Sequence, residues 1–239
     1  VDKVLLSPPS YRFRVEDLIS GITEKTAMVY LDNPHNPTGQ AIPLSDVEIL
    51  ADHCLDRGIM LIVDEAYGGF MEEGESSINL KHSNLVSVRS FSKSWGMASL
   101  RAGYAIVRDP ELRELYNKVC PPFPLSPNLL ELIPLAMDEK GYLSGLRTRV
   151  AYLKKRTMDV ILSSPGFSVA ETSLSVPIML VTSEDPEVEL FQLLLDVGIK
   201  SEPGEGFDSL GRNSIRLRIP SPDKLEAFNT CWKELTGKL

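Results

Sequence analysis

Cysteine and histidine are scarce in this 239-residue chain. The three cysteines, Cys54, Cys120 and Cys231, lie far apart, form no CxxC pair and share no ligand spacing with the three histidines. This pattern excludes a Cys/His metal site and favours free thiols. Free thiols are typical of a reducing compartment, so we expect a cytoplasmic protein.

The chain also lacks an excess of positive charge and any long apolar run. A formal net charge of -8 argues against nucleic acid as the main partner, because phosphate binding needs a basic surface. A small anionic ligand needs only local positive charge and stays open. No apolar run approaches the roughly 18 residues of a membrane span. The composition present, 43% hydrophobic and 24% charged, is that of an ordinary globular protein.

The start of the chain has no initiator Met and begins within an element. Its first residues, VDKVLLSPPSYRF, open on what reads as a strand. We therefore expect an N-terminal portion of the protein to precede Val1.

The clearest local unit runs from Thr26 to Tyr67. TAMVYL is an apolar run without alternation, as expected for a parallel strand buried on both faces. DNPHNPTGQAIP follows as a loop, then a helix, and then the strand IMLIV, which ends at Asp64. Such crossovers are nearly always right-handed, so the unit predicts a parallel sheet.

The helix of this unit, LSDVEILADHCLDRG, carries start and stop signals. Ser45 and Glu48 have the spacing of a capping box, and Gly58 ends the helix. The predicted apolar face is periodic and consists of Val47, Leu50, Ala51, Cys54 and Leu55.

The remainder predicts two further strands of this sheet, at 85–90 and 103–108, and helices at about 110–119, 128–138 and 142–163. After these come strands in GFSVA, VPIMLVTS and SIRLRIP, and helices at 186–197 and 222–235, the last with Ser221 as N-cap. We predict an α/β fold whose mainly parallel sheet is sandwiched by helices, followed by a smaller α+β domain. The expected domains are 1–140 and 141–239, joined by the long helix.

Three loops at the carboxyl ends of the predicted strands bring polar residues to one sheet edge, where open α/β sheets bind ligands. The residues are Asn36, Asp64, Tyr67, Ser90, Ser92 and Lys93. Taken alone, Asn36 could be a turn former, Tyr67 a core residue and Lys93 a solvated lysine. Asp64 is costly to bury unless a cation or donor meets it. If all of these residues had only structural roles, their occurrence together at one sheet edge would be a coincidence.

This residue set suits a lysine Schiff base with a pyridine cofactor. Lysine supplies an amine to a carbonyl, and an aspartate keeps the pyridine nitrogen protonated so that the ring accepts electrons. Asparagine and tyrosine can hold the phenolic oxygen. Two serines and a nearby arginine can bind a phosphate, the arginine through two parallel hydrogen bonds.

Four motifs carry a family resemblance across essentially the whole chain: NPHNPTG, VDEAY, SFSKSWGMASLRAGY and IRLRIP. In their order and spacing they resemble the class I/II aminotransferases, which are fold-type I pyridoxal-5'-phosphate enzymes. DEAYGGF and SFSKSWGMASLRAGYAIV are most similar to the histidinol-phosphate aminotransferase-like branch.

The resemblance implies a role for each matching residue. Lys93 would form the internal aldimine and then carry the proton between the substrate Cα and the cofactor. Asp64 would pair with the pyridine nitrogen. The remaining implied roles are O3' contact by Asn36 and Tyr67, phosphate binding by Ser90, Ser92 and Arg101, and binding of the substrate α-carboxylate by Arg216, with Arg218 as the alternative.

The chain departs from the family pattern in three places. The family's Gly-containing phosphate loop and ring-stacking aromatic precede the first motif, which here already begins at residue 33. SLSVPIML lacks the asparagine that the histidinol-phosphate branch tends to carry. PGEGFDSLG looks more like the corresponding stretch of aminotransferases that act on ordinary amino acids.

The expected function is amino transfer between an L-amino acid, or histidinol phosphate, and a 2-oxo acid, with pyridoxal 5'-phosphate as cofactor. Decarboxylation and C–S lysis use the same lysine, aspartate and arginine, and a non-catalytic relative that keeps the fold is a further alternative. The resemblance also implies a homodimer, and neither nucleic acid nor membrane is an expected partner.

Overall fold

A computed structural model describes residues 1–122 and 124–237. Its first sheet contains β1 (Met28–Asp32), β2 (Met60–Glu65), β3 (Leu85–Ser90) and β4 (Gly103–Val107), side by side in chain order. β1, β2 and β3 are parallel, whereas β4 is antiparallel to β3. Residues 91–102 form turns and one short 3-10 helix, Ala98–Leu100, and without a crossover α-helix the chain returns antiparallel. The predicted α/β fold with a mainly parallel sheet is confirmed.

Two helices, α1 (Val15–Gly21) and α2 (Leu44–Leu55), pack on one face of this sheet. Cys54 is fully buried there, as the apolar pattern of α2 predicts. Leu55 is 41% exposed, so its predicted place on the buried face is wrong. The buried residues of α2 are Val47, Leu50, Ala51 and Cys54.

The start of α2 is capped differently from the prediction. The helix begins at Leu44, so Ser45 lies inside its first turn and makes no cap. The backbone N–H of Leu44 donates instead to the Glu75 carboxylate at 2.9 Å. A carboxylate at a helix N-terminus is favourable because it meets unpaired N–H groups. At the other end, Gly58 has a φ of +67° and ends the helix as predicted.

Two expectations about strands are wrong: that β1 is buried on both faces, and that the chain opens on a strand. Met28 and Tyr30 of β1 are 54% and 58% exposed, because β1 is an edge strand and both packed helices cover the same face. Residues 1–7 form no regular secondary structure. The prolines that follow them, Pro8 and Pro9, have no backbone N–H with which to extend a strand.

The second half of the chain begins with α3 (Pro110–Val119), α4 (Pro127–Met137) and α5 (Tyr142–Leu162). The second sheet follows, with β5 (Phe167–Val169), β6 (Ile178–Ser183), β7 (Glu202–Pro203) and β8 (Ser214–Arg218) in the antiparallel order β5-β6-β8-β7. None of the described helices is long and apolar enough to cross a lipid bilayer. The division at residues 140 and 141 stays a prediction.

Two helices pack with this sheet, and both begin later than predicted. α6 spans Leu190–Asp196 and α7 spans Leu225–Thr236. The N–H of Leu190 donates to the backbone oxygen of Arg212 at 3.0 Å, which holds the segment before α6 out of the helix. The Ser221 hydroxyl donates to Asp223 at 2.6 Å and does not cap the backbone.

The turn after β1 lies against the segment that leads into β6. The N–H of Ser173 donates to the Gly39 oxygen at 3.0 Å, and the N–H of Ala41 donates to the Ser173 hydroxyl at 2.9 Å. Gly39 has a φ of +75°, and a Cβ added there would lie 2.2 Å from the backbone oxygen of Ile178. Only glycine allows this approach, which joins the two sheets.

Lys154 of α5 binds the same segment, the one that leads into β6. Its side chain is fully buried, and its Nζ lies within hydrogen-bond distance, 2.5–2.9 Å, of four oxygens. These belong to the Thr172 hydroxyl and to the backbones of Ser173, Val176 and Ile178. Burial lowers the pKa of Lys154 to about 7, while four acceptors oppose that shift by stabilising the ammonium form. Lys154 thereby orders the surface that receives the Gly39 turn.

We expect Gly39→Ala to lower the free energy of unfolding by about 3 kcal/mol, since it combines backbone strain with a clash. Gly58→Ala is the matched control: φ is +67° there, but an added Cβ meets no described atom within 4 Å. Its expected loss is about 1 kcal/mol, from strain alone. Urea denaturation measures both variants, and equal losses would contradict the close approach at Gly39.

Candidate active site

The carboxyl ends of β1, β2 and β3 deliver the predicted loops to one edge of the first sheet. Asp32 at the end of β1 is the register partner of Asp64 in β2, and Glu65 is the partner of Arg89 in β3. The loop of Asn36 therefore leaves the sheet on one side of Asp64, and the turn that holds Lys93 leaves on the other side. This is the edge at which parallel α/β sheets place ligands.

Asp64 is held by two hydrogen-bond donors. One carboxylate oxygen accepts from the Tyr30 hydroxyl at 2.7 Å and the other from the N–H of Ala66 at 2.8 Å. Burial and the neighbouring Asp64 carboxylate raise the pKa of Tyr30, so its phenol remains a donor. The Asp64 carboxylate thus has the hydrogen-bond donors that we expected at this position. One of them, Tyr30, is a neighbour that sequence reasoning missed.

Asp32 is a second carboxylate at this edge. Burial, with a smaller contribution from the charge of Asp64, raises the pKa of Asp32 to about 7, and the N–H of Asn36 opposes that shift. This N–H donates to Asp32 at 3.0 Å, so Asp32 orders the turn that presents Asn36. Sequence reasoning missed Asp32, although the signal used for Asp64, an acid at the end of an apolar strand, is present here too.

Lys93 is exposed at the mouth of the site. Its Nζ lies 5.3 Å from the centroid of the Tyr67 ring, within the range of a cation–π contact. Tyr67 itself is only 7% exposed and packs with Phe70, Val150 and Val176. Tyr67 therefore belongs to the core and also places a ring beside a free amine.

The three predicted phosphate ligands lie on neighbouring stretches of backbone. The N–H of Ser92 donates to the Ser90 hydroxyl at 3.1 Å, and the N–H of Phe91 donates to the oxygen of Ala102 at 3.2 Å. Arg101 has a φ of +52°, and its guanidinium donates to the backbone oxygen of Ala98 at 2.9 Å. The structure brings Arg101 beside the serines through the backbone, but it does not place the guanidinium on them.

Arg216 connects the second sheet with this edge. Its Nη1 donates to the Asn36 side-chain oxygen at 3.0 Å, and its Nη2 donates to the carboxylate of Glu202. Its Nε is buried and has no hydrogen-bond partner among the described residues. Arg218, the alternative carboxylate ligand, is exposed. Of the two arginines, Arg216 is the one that contacts the predicted site.

These side chains fit pyridoxal phosphate. They offer a carboxylate for a ring nitrogen, an accessible amine for a carbonyl, two serine hydroxyls on the backbone next to Arg101 for a phosphate, and a buried N–H of Arg216 still to be paired. Burial lowers the pKa of His35 to about 4, so this neighbour of Asn36 adds no charge. The described residues hold no group of three or more His, Cys, Asp or Glu placed to bind a metal ion.

Fold and site together define the class of protein. A parallel sheet whose loops present this residue set, followed by an α+β unit that supplies an arginine, is the architecture of the fold-type I pyridoxal-phosphate enzymes. The family model for aminotransferase class I and II matches residues 3–229. The chain belongs to that family.

Similar proteins fall in the branch indicated by the sequence. The chain is 28% identical to histidinol-phosphate aminotransferase 2 of Pasteurella multocida (strain Pm70), over 98% of this chain and 64% of the relative. It thus spans just under two thirds of that relative's length. In three dimensions it is similar to the histidinol-phosphate aminotransferase of Clostridium acetobutylicum, with a TM-score of 0.88 at 20% identity, covering 98% of this chain and 70% of that chain.

A second similar structure is histidinol-phosphate aminotransferase from Sinorhizobium meliloti in complex with pyridoxal-5'-phosphate. Its TM-score is 0.79 at 21% identity, covering 94% of this chain and 62% of that chain. At this identity the likeness establishes the fold.

Asp32→Asn tests the electrostatics of the sheet edge. The folded-state pKa of Asp32, about 7, lies above the unfolded value of about 3.9. Asp32 therefore contributes stability that is present below about pH 4 and lost as the pH rises through about 7. Asparagine keeps an acceptor for the N–H of Asn36 but does not titrate.

We expect the free energy of unfolding of the wild type, relative to that of Asp32→Asn, to fall between about pH 4 and pH 8. Chemical denaturation of both proteins across this range measures the difference. Parallel pH profiles would show that Asp32 titrates normally.

Proposed function

We propose that this protein is a pyridoxal-phosphate-dependent aminotransferase that moves an amino group between an L-amino acid and a 2-oxo acid, with the cofactor attached through Lys93. The observation that carries the proposal is the hydrogen bond between Arg216 and Asn36, because it brings an arginine suited to a carboxylate to the loop that we assign to the cofactor. Membership of the class I and II family supports the same reaction.

Asp64 and Lys93 carry the chemical step in this proposal. When bound, the cofactor supplies a protonated pyridine ring that withdraws electrons from the substrate Cα. Asp64 keeps the proton on the ring nitrogen through its carboxylate. Lys93 would hold the cofactor through its amine and, when the substrate amine takes its place, would carry the proton away from the substrate Cα and return it on the cofactor side.

The other site residues bind and orient. The amide of Asn36 and the hydroxyl of Tyr67 hold the phenolic oxygen of the ring, and Arg216 holds the α-carboxylate through paired N–H donors. The phosphate is assigned to Ser90, Ser92 and Arg101. Because the guanidinium of Arg101 donates to the backbone oxygen of Ala98, it must leave that oxygen to reach a phosphate.

Two amino donors are candidates for this site. Two similar proteins are histidinol-phosphate aminotransferases, which favours histidinol phosphate. SLSVPIML and PGEGFDSLG favour an ordinary L-amino acid. We propose an L-amino acid and keep histidinol phosphate as the second donor to be tested.

The predicted homodimer is also a proposal. Within the described part of the chain, no residue of α3 or α4 is buried. Both helices nevertheless carry large apolar side chains, including Leu115, Val119, Leu130 and Leu135, which are more than half exposed. Large apolar side chains exposed in this way suit contact with a second subunit.

Transfer of 15N tests the reaction. The protein with pyridoxal phosphate is incubated with 2-oxoglutarate and either 15N-labelled L-amino acids or labelled histidinol phosphate. We expect one 15N-glutamate for each donor consumed, because amino transfer conserves the nitrogen. Release of CO2 or pyruvate without a new amino acid would instead show decarboxylation or C–S lysis.

A further inference from the structure

Glu202 lies directly on the arginine proposed to bind the substrate. It is in β7 as the register partner of Arg216 in β8, and its carboxylate accepts from Nη2 of Arg216. The Glu202 side chain is 52% exposed, whereas that of Arg216 is 16% exposed. The charge of Arg216 is thus already paired by a carboxylate of the chain itself.

The geometry of the guanidinium links the pairing of Arg216 with Glu202 to the binding of a substrate carboxylate. A carboxylate bound through two parallel hydrogen bonds uses either Nε and Nη2 or Nη1 and Nη2. Nη2 belongs to both edges, and in this structure it donates to Glu202. Each Nη carries two N–H groups, so a substrate carboxylate on either edge shares Nη2 with the Glu202 carboxylate and lies beside it. The unpaired, buried Nε of Arg216 marks the edge on which it would bind.

Glu202 can leave at low cost. β7 is a strand of only two residues at the edge of its sheet, and the carboxylate already reaches solvent. Ion pairs with an exposed partner contribute little stability because water competes for the charge. When a substrate carboxylate arrives, repulsion between the two anions favours release of Glu202 into water.

An amino transfer takes two substrates in turn at one site, and they differ beyond the reacting carbon. While Glu202 is paired with Arg216, the charge of the arginine is neutralised and no anionic substrate group is needed to balance it. With Glu202 displaced, the arginine is free to hold a carboxylate. The same pocket can then accept an amino acid and also an amine that carries an uncharged group in place of the carboxylate.

We propose that Glu202 is a gate on Arg216, displaced by substrates with an α-carboxylate and retained for amino alcohols. This inference deepens the proposed function, because it rests on Arg216 being the carboxylate ligand. Glu202 is a specificity-determining residue in this account. It contacts the binding arginine and performs no chemical step.

Glu202→Gln tests the gate. Glutamine keeps an acceptor for Nη2 but competes weakly with an anion, so carboxylate ligands should bind more tightly. We expect the Kd for a 2-oxo monocarboxylate to fall about threefold to fivefold, as expected when an exposed ion pair no longer competes. The Kd for an amino alcohol should stay the same or rise. Titration calorimetry on the protein with bound pyridoxal phosphate measures both.

The matched control is Glu187→Gln, which removes the same charge from another Arg–Glu pair, that with Arg212. Its expected effect on both ligands is nil. Unchanged or weaker carboxylate binding in Glu202→Gln would overturn the gate, since Glu202 would then only position Arg216. Tighter binding of both ligand classes would overturn the selectivity. Because binding is measured without turnover, failure of the 15N transfer and failure of the gate are separate outcomes.

Discussion

The hydrogen bond between Arg216 and Asn36 is the contact on which the rest of the site depends. It requires the turn after β1 to meet the second sheet, and the missing side chain of Gly39 allows that approach. Lys154 stabilises the opposite surface by donating to the segment that leads into β6. Buried polar groups are costly unless all are paired, so this joint has few alternative arrangements. Arg216 and the loop of Asn36, 180 residues apart in the sequence, are thereby brought together.

Carboxylates dominate the electrostatics around that joint. Asp32 and Asp64 lie side by side at the sheet edge, and Glu202 pairs with Arg216. In our proposal this arrangement favours a cationic ring nitrogen beside Asp64 and makes the guanidinium of Arg216 the position for the substrate carboxylate. The acid next to each functional group therefore does more than balance charge. Asp32 orders a loop, and in our proposals Asp64 faces the ring and Glu202 decides which substrates Arg216 will hold.

Local patterns predicted the sheet edge well because they depend on neighbouring residues. Apolar runs followed by Asn36, Asp64 and Ser90 indicated strand ends, and parallel strands bring their carboxyl ends together. Features set by distant contacts were not predictable. The cap of α2 comes from Glu75, the exposure of β1 from its edge position, and the contact of Glu202 with Arg216 from strand pairing. Lys154 occupied a buried helical stripe, but its four partners become visible only once the chain is folded.

The central claim is that these loops form one pyridoxal-phosphate site with Lys93 as the attachment point. Borohydride reduction of the protein with pyridoxal phosphate, followed by peptide mass mapping, tests this most directly. We expect a stable pyridoxyl adduct on the peptide containing Lys93, its loss in Lys93→Ala, and its retention in a control substitution of the exposed Lys81. A pyridoxyl group on another lysine, or its persistence in Lys93→Ala, would show that Lys93 is not the attachment point.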